Sequence, residues 1–172
     1  MLVFVAFRTL VLACAVAALA ACGTLRPPIE QRTTQGPTAQ QLWAWRIKSQ
    51  VGREPSFDER RHFDDELELR IARYLREHPE DASALGVAAF RLDRQVSVGM
   101  SREQVAILLG PPMAEIADAA AMEDQAGRFW PDIAPRARAA WTYPLGWTVY
   151  FGAEQRVVDI TQFHTPGRDG GS

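Results

Sequence analysis

The sequence WTYPLGWTVYF, residues 141–151, is the stretch that most clearly indicates the fold of this chain. Aromatic and β-branched residues fill both of its halves, which favours strands, and Pro144 and Gly146 mark a turn between them. After a polar turn, residues 156–160 alternate apolar and polar side chains and predict a third strand. We therefore expect a three-stranded antiparallel β-meander, whose apolar face needs a cover of helices.

A short helix is predicted just upstream, within residues 99–112. Ser101 and Gln104 have the spacing of a capping box, and Gly110, followed by two prolines, ends the helix. A helix of about two and a half turns is not stable alone, so we expect it to pack on the strands. Its apolar side chains share one side: Val105, Leu108 and Leu109.

Residues 38–95 predict an additional helical segment that precedes this part of the chain. A first helix begins at Thr38 and ends at Gly52, and a second begins at Ser56 and ends before Pro79. A third is expected from about Pro79, with its apolar residues on one side: Leu85, Ala88, Ala89 and Leu92. The predicted fold class is therefore α+β, with short helices packed on the meander.

The N-terminus contains an apolar segment that ends at a cysteine and differs from the segments that predict the fold. After Arg8 comes an apolar run that has the length of a secretory signal core and is too short for a membrane-spanning helix. The run ends in Leu19-Ala20-Ala21-Cys22, in which two small residues stand directly before a cysteine. One interpretation of Cys22 is a buried or disulfide-bonded cysteine; the other is a site of lipidation.

The stretch around Cys22 resembles the lipobox of bacterial lipoproteins. The resemblance implies that residues 1–21 are a signal peptide that is removed, and that Cys22 carries a diacylglycerol and an N-linked acyl chain such as palmitate. By the sorting rule of such lipoproteins, Gly23 after the cysteine implies the outer membrane, with the protein facing the periplasm. Membrane lipid, reached through this membrane anchor, is then the first expected partner.

Composition sets limits on the rest of the chain. Removing residues 1–21 leaves about 150 residues, enough for one domain of ordinary size. The formal net charge of −2 indicates neither a nucleic-acid partner nor attraction to anionic lipid. Residues 22–37 are rich in Thr, Pro, Gln and Gly and predict a flexible tether, and residues 166–172 predict a disordered tail.

The order of the predicted elements resembles the SmpA/OmlA family of outer-membrane lipoproteins, the BamE type. The resemblance covers residues 96–165, with an insertion at residues 113–140, and it rests on the following positions: Gly99, Met100, Ser101, Val105, Leu109, Gly110, Pro112, Trp141, Tyr143, Val157 and Ile160. It implies two helices against a three-stranded antiparallel sheet, and a non-catalytic accessory role in β-barrel protein insertion. The family's Gln-Gly-Asn partner-binding stretch is missing here, so no partner-binding residue is transferred.

No pattern of catalytic or metal-binding residues stands out. His62, His78 and His164 are scattered, and the sequence has no nucleophile elbow, P-loop or dinucleotide fingerprint. We therefore expect no metal, no cofactor apart from the lipid on Cys22, and no enzymatic activity. An alternative is a peptidoglycan-directed binder or hydrolase that uses carboxylates of the insertion as acid and base: Glu115, Asp118, Glu123 and Asp124.

The aromatic residues leave two interpretations open. Trp130, Trp141, Tyr143 and Trp147 either pack in the core or form a patch for protein–protein interaction, since Trp and Tyr dominate interface hot spots. The predicted function is that of a scaffold subunit that contacts another envelope protein. An inhibitor module is a third possibility, although the sequence offers no reactive loop for it.

Overall fold

The structure, a computed structural model, describes residues 29–84 and 86–164. The predicted signal peptide, Cys22 and the predicted tail at residues 166–172 lie outside the described residues, and so do the first residues of the predicted tether.

The described residues form seven β-strands and six α-helices. The strands are β1 Ile29–Thr33, β2 Gln35–Thr38, β3 Gln95–Ser97, β4 Ala114–Ile116, β5 Ala139–Tyr143, β6 Trp147–Phe151 and β7 Val157–His164. The helices are α1 Ala39–Val51, α2 Phe57–Glu77, α3 Pro79–Ala82, α4 Arg102–Leu109, α5 Ala119–Ala126 and α6 Trp130–Ile133. This confirms the predicted α+β class.

The main sheet is antiparallel and has five strands in the order β1-β7-β6-β5-β4, not three. The predicted meander is present as β5, β6 and β7 at its centre. The two additional strands are its edges, and a separate pair, β2 with β3, lies beside it. The prediction was short by two strands because edge strands have little apolar sequence of their own and depend on the neighbour they pair with.

The prediction of a flexible tether over residues 22–37 is wrong from residue 29 onward. Residues Ile29–Thr33 pair with β7, from Ile29 opposite His164 to Thr33 opposite Ile160. Four of the five residues of β1 are exposed, so the composition of this strand resembles that of a linker. Backbone hydrogen bonds to β7 supply the order that the side chains do not.

Both faces of the main sheet are covered. On one face, Trp141, Val149 and Ile160 pack with side chains of α1, α2 and α4 in the larger core. On the other face, Ala140 and Tyr150 pack with α5, α6 and the residues after them. The insertion at residues 113–140 is therefore the second layer over the sheet, which explains why all five residues of β6 are buried.

The upstream helices share the larger core with the sheet. Leu42 of α1 and Leu67 and Ile71 of α2 are fully buried in the same cluster as Val105 and Val149. The predicted third helix is interrupted: the short α3 is followed by a turn, and helical residues resume at 87–93, of which Ala89–Asp93 form a π-helical turn. Within that turn Phe90 is buried, whereas Leu92 is 73% exposed.

The predicted helix starts agree with the structure. Ser56 with Glu59 and Ser101 with Gln104 form complete capping boxes, and the Thr38 hydroxyl accepts a hydrogen bond from the Gln41 amide. The predicted turn between β5 and β6 is also present, with Gly146 at φ 72°. A Cβ atom at Gly146 would lie 1.8 Å from the carbonyl oxygen of Phe163, so this close approach of backbones requires glycine.

Candidate interaction surface

Three of the four predicted aromatic site residues lie in the core. Trp141, Tyr143 and Trp147 are 7, 2 and 6% exposed. Trp130 is half-buried against the smaller cluster on the other face of the sheet. The burial of the three corrects their interpretation as a partner-binding patch, because side chains that fill the core cannot meet a partner.

One side of the aromatic core is covered by an arginine. The guanidinium of Arg102 lies 5.3 Å from the ring centroid of Trp141 and 4.9 Å from that of Phe151. These two rings meet edge to face at 4.8 Å. The Nε atom of Arg102 and the indole nitrogen of Trp141 are buried without a hydrogen-bond partner among the described residues, so cation–π attraction is the polar interaction that the arginine gains here.

A first cluster of charged side chains joins β1, β7 and the insertion. The carboxylate of Asp159, 5% exposed, accepts hydrogen bonds from Arg32 at 2.8–3.0 Å and from Arg136 at 2.7 Å. Arg32 also pairs with Asp132 at 2.9 Å. The hydrogen bond with Asp159 raises the pKa of Arg32. Two arginines facing two carboxylates leave no net charge, so this cluster stabilises the fold and is not an anion site.

A second polar network lies at the start of α4. The hydroxyl of Tyr74 donates to Asp81 and lies 3.2 Å from the Ser101 hydroxyl, and Arg156 donates to the other oxygen of Asp81 at 3.3 Å. Burial raises the pKa of Tyr74 to about 12. A phenol that keeps its proton in this way is a hydrogen-bond donor at neutral pH and not a base, so this network is also structural.

An apolar groove of about 430 Å³ lies between α2 and the segment that follows α3. We call it the α2 groove. Arg76 and Arg91 stand on its walls, both exposed and without an ion pair among the described residues. Glu68, also in the wall, is already paired with Arg94 at 3.2 Å. The apolar lining consists of Ile71, Ala72, Leu75, Ala82, Val87, Ala88 and Leu92.

The carboxylates of the insertion are not arranged as a catalytic pair in a cleft. Glu115, Asp118, Glu123 and Asp124 are all exposed, and Asp118 is the N-cap of α5, where it accepts a hydrogen bond from the Ala121 amide at 2.9 Å. Glycoside hydrolysis needs two carboxyl groups on either side of a bound sugar. These four side chains lie on an exposed surface, so no observation among the described residues favours the hydrolase alternative.

The histidines are placed at three separate points of the fold. His62 contacts Glu66 at 3.2 Å on the surface of α2, His78 stacks on Tyr74, and His164 lies at the end of β7. Within residues 29–84 and 86–164, no three His, Cys, Asp or Glu side chains come together as a metal site. The same ranges contain no helix with the length and apolar character to cross a bilayer.

The fold and its sites define the class of this molecule as an α+β protein whose sheet is covered on both faces. Comparison of the chain with models of known families found no match, and comparisons with curated proteins and with solved structures found none either.

Sequence reasoning missed both the Arg32–Asp159 cluster and the α2 groove. The positions in each lie far apart in the chain, and only the fold brings them together.

Proposed function

We propose that this chain is a lipid-anchored outer-membrane lipoprotein that acts as a non-catalytic interaction subunit of the cell envelope. Residues 19–22 support the anchor, and the resemblance of residues 96–165 to the SmpA/OmlA family supports β-barrel protein assembly as the process it serves. The observation that carries the interaction role is the α2 groove, where Leu92 is exposed near two arginines that have no ion pair within the part of the chain that the structure describes.

The apolar side chains and the two arginines of the groove indicate which kind of partner would bind there. Leu75 lines the groove and is half-buried, Leu92 is 73% exposed beside it, and the apolar face of an amphipathic helix offers side chains that fit such a surface. Arg76 and Arg91 prefer carboxylates, with which a guanidinium forms two parallel hydrogen bonds. The partner is therefore a protein segment that carries an apolar stripe flanked by Asp or Glu.

Burial of Leu92 by such a partner contributes about 1.5–3 kcal/mol, which corresponds to tenfold or more in affinity. The substitution Leu92→Glu removes this contribution and adds a carboxylate where the partner already presents its own. The matched control is Leu69→Glu, because Leu69 is 68% exposed on α2 but does not line the groove.

The test is to purify the tagged full chain from membranes in mild detergent and to quantify the envelope proteins that remain bound. We expect one partner to be retained by the wild type and by Leu69→Glu and to be lost from Leu92→Glu. Equal retention by the two variants, or no partner with any of them, would refute the interaction role of the α2 groove.

A further inference from the structure

The register of the main sheet places the first residue of β1 at one particular end. Ile29 pairs with His164, Gln162 with Trp147, and Trp147 with Tyr143. β4 is the edge strand opposite β1, and Met113, the residue just before β4, donates its backbone N–H to the carbonyl of Thr142 on β5. Ile29 and Met113 therefore lie at the same end of the sheet, which we call the Ile29 end.

This end exposes apolar side chains. Met113 is 70% and Ile29 38% exposed. Met113 also lines a groove of about 440 Å³ together with Leu145 and the half-buried indole of Trp45. The opposite end of the sheet carries the turn between β6 and β7, whose exposed residues include Glu154 and Arg156.

The length of chain before β1 limits how far each end of the sheet can lie from a membrane that holds Cys22. Six residues separate Cys22 from Ile29, so Ile29 stays within about 25 Å of Cys22 even if they are fully extended. The eight residues of β7 alone extend about 27 Å from the Ile29 end to the opposite turn. A lipid on Cys22 therefore limits the distance between the Ile29 end and the bilayer to about 25 Å, whereas the opposite turn can lie about twice as far away.

We infer that the Ile29 end rests on the membrane that holds Cys22, with Met113 and Trp45 in the lipid–water interface. This inference rests on the proposed lipidation of Cys22. Two features agree on it: β1, which follows the anchor, begins at this end, and Met113, which is 70% exposed, lies at the same end. Trp is favoured at the level of the headgroups, and exposed apolar area adds to the binding that the acyl chains provide.

The orientation leaves the partner surface accessible. Asp81, the neighbour of Ala82 in the α2 groove, pairs with Arg156 of the opposite turn at 3.3 Å. One part of the groove therefore lies near the turn that faces away from the bilayer, where an envelope protein can reach it.

Single cysteines test this arrangement, because the lipidated Cys22 offers no free thiol. Met113→Cys places a fluorescent label at the Ile29 end, and Glu154→Cys places the same label on the opposite turn as the matched control. Both positions are exposed, so neither substitution disturbs the core. The full chain is purified from membranes and reconstituted into dioleoylphosphatidylcholine vesicles with and without bromine on the acyl chains, and mass spectrometry reports the state of Cys22.

We expect bromolipid to quench the label at position 113 about twofold or more relative to the label at position 154. Equal quenching at the two positions, with lipid present on Cys22, would overturn the orientation and leave the anchor intact. A Cys22 without lipid would overturn the proposed anchor and this inference with it.

Discussion

Arg32 on β1 donates hydrogen bonds to both carboxylate oxygens of Asp159 on β7, at 2.8–3.0 Å. Asp159 is 5% exposed, so removal of the guanidinium leaves a buried carboxylate with Arg136 as its remaining charged partner. We expect Arg32→Ala to lower the free energy of unfolding by about 2 kcal/mol, measured by urea denaturation.

The control for this prediction is an ion pair of similar length on the surface. Lys48 lies 2.7 Å from Glu54, and both side chains are more than half exposed. Lys48→Ala should change the free energy of unfolding by less than about 1 kcal/mol. If the two substitutions have the same effect, the Arg32–Asp159 pair does not hold β1 on the sheet.

Gly52 and Gly146 have nearly the same φ, so alanine substitutions at the two positions distinguish the cost of backbone strain from the cost of steric overlap. Gly52 has φ 75° with no atom within 4 Å of a Cβ position, and Gly146 has φ 72° with the Phe163 carbonyl oxygen at 1.8 Å from it. Gly52→Ala should therefore cost about 1–2 kcal/mol of stability, the penalty of the left-handed conformation alone. Gly146→Ala should cost at least about 3 kcal/mol, because the turn or β7 has to move. Thermal unfolding of the two variants checks this, and equal costs would contradict the close approach of Gly146 to β7.

All three tyrosines of the chain are buried, and burial raises the pKa of each. The pKa reaches about 12 for Tyr74 and for Tyr150. In the unfolded chain a tyrosine titrates near about 10, so the folded state binds the proton more tightly. This contribution to stability is fully present below about pH 10 and is lost as the pH rises toward 12.

Absorbance at alkaline pH measures the expected tyrosine titration. The folded protein should show little tyrosinate near pH 10, and the tyrosinate signal should rise together with the loss of far-UV circular dichroism. Tyr150→Phe should reduce the alkaline loss of stability, because one of the three raised pKa values is then absent. Tyrosinate formation near pH 10 in a protein that is still folded would contradict the burial of these hydroxyls.

The central strands could be predicted from sequence because their own side chains specify them. Residues 147–151 form β6 with the predicted bounds, and the predicted capping boxes at Ser56 and Ser101 are both present. The edge strands could not be predicted. β1 has mostly exposed polar side chains and β4 has three residues, so pairing with β7 and β5 defines them.

The candidate sites, too, include one that can be predicted from the sequence and one that cannot. The motif around Cys22 is local and can be recognised in a few residues, whereas the α2 groove needs α2 and the segment near Leu92 to meet. The aromatic side chains illustrate a limit of pattern reasoning. Composition identifies Trp141 and Trp147 as notable, but only the packing of the upstream helices on the sheet shows that these side chains belong to the core.

The mass of the mature N-terminal peptide tests the central proposal most directly. The full chain is expressed in a bacterial envelope, extracted with detergent and digested, and the first peptide is analysed by mass spectrometry. We predict a peptide that begins at Cys22 and carries a diacylglycerol on sulfur and an acyl chain on its amino group. A peptide that retains residues before Cys22, or that begins at Cys22 with a free thiol, would contradict the proposal that a lipid anchor places this protein in the membrane.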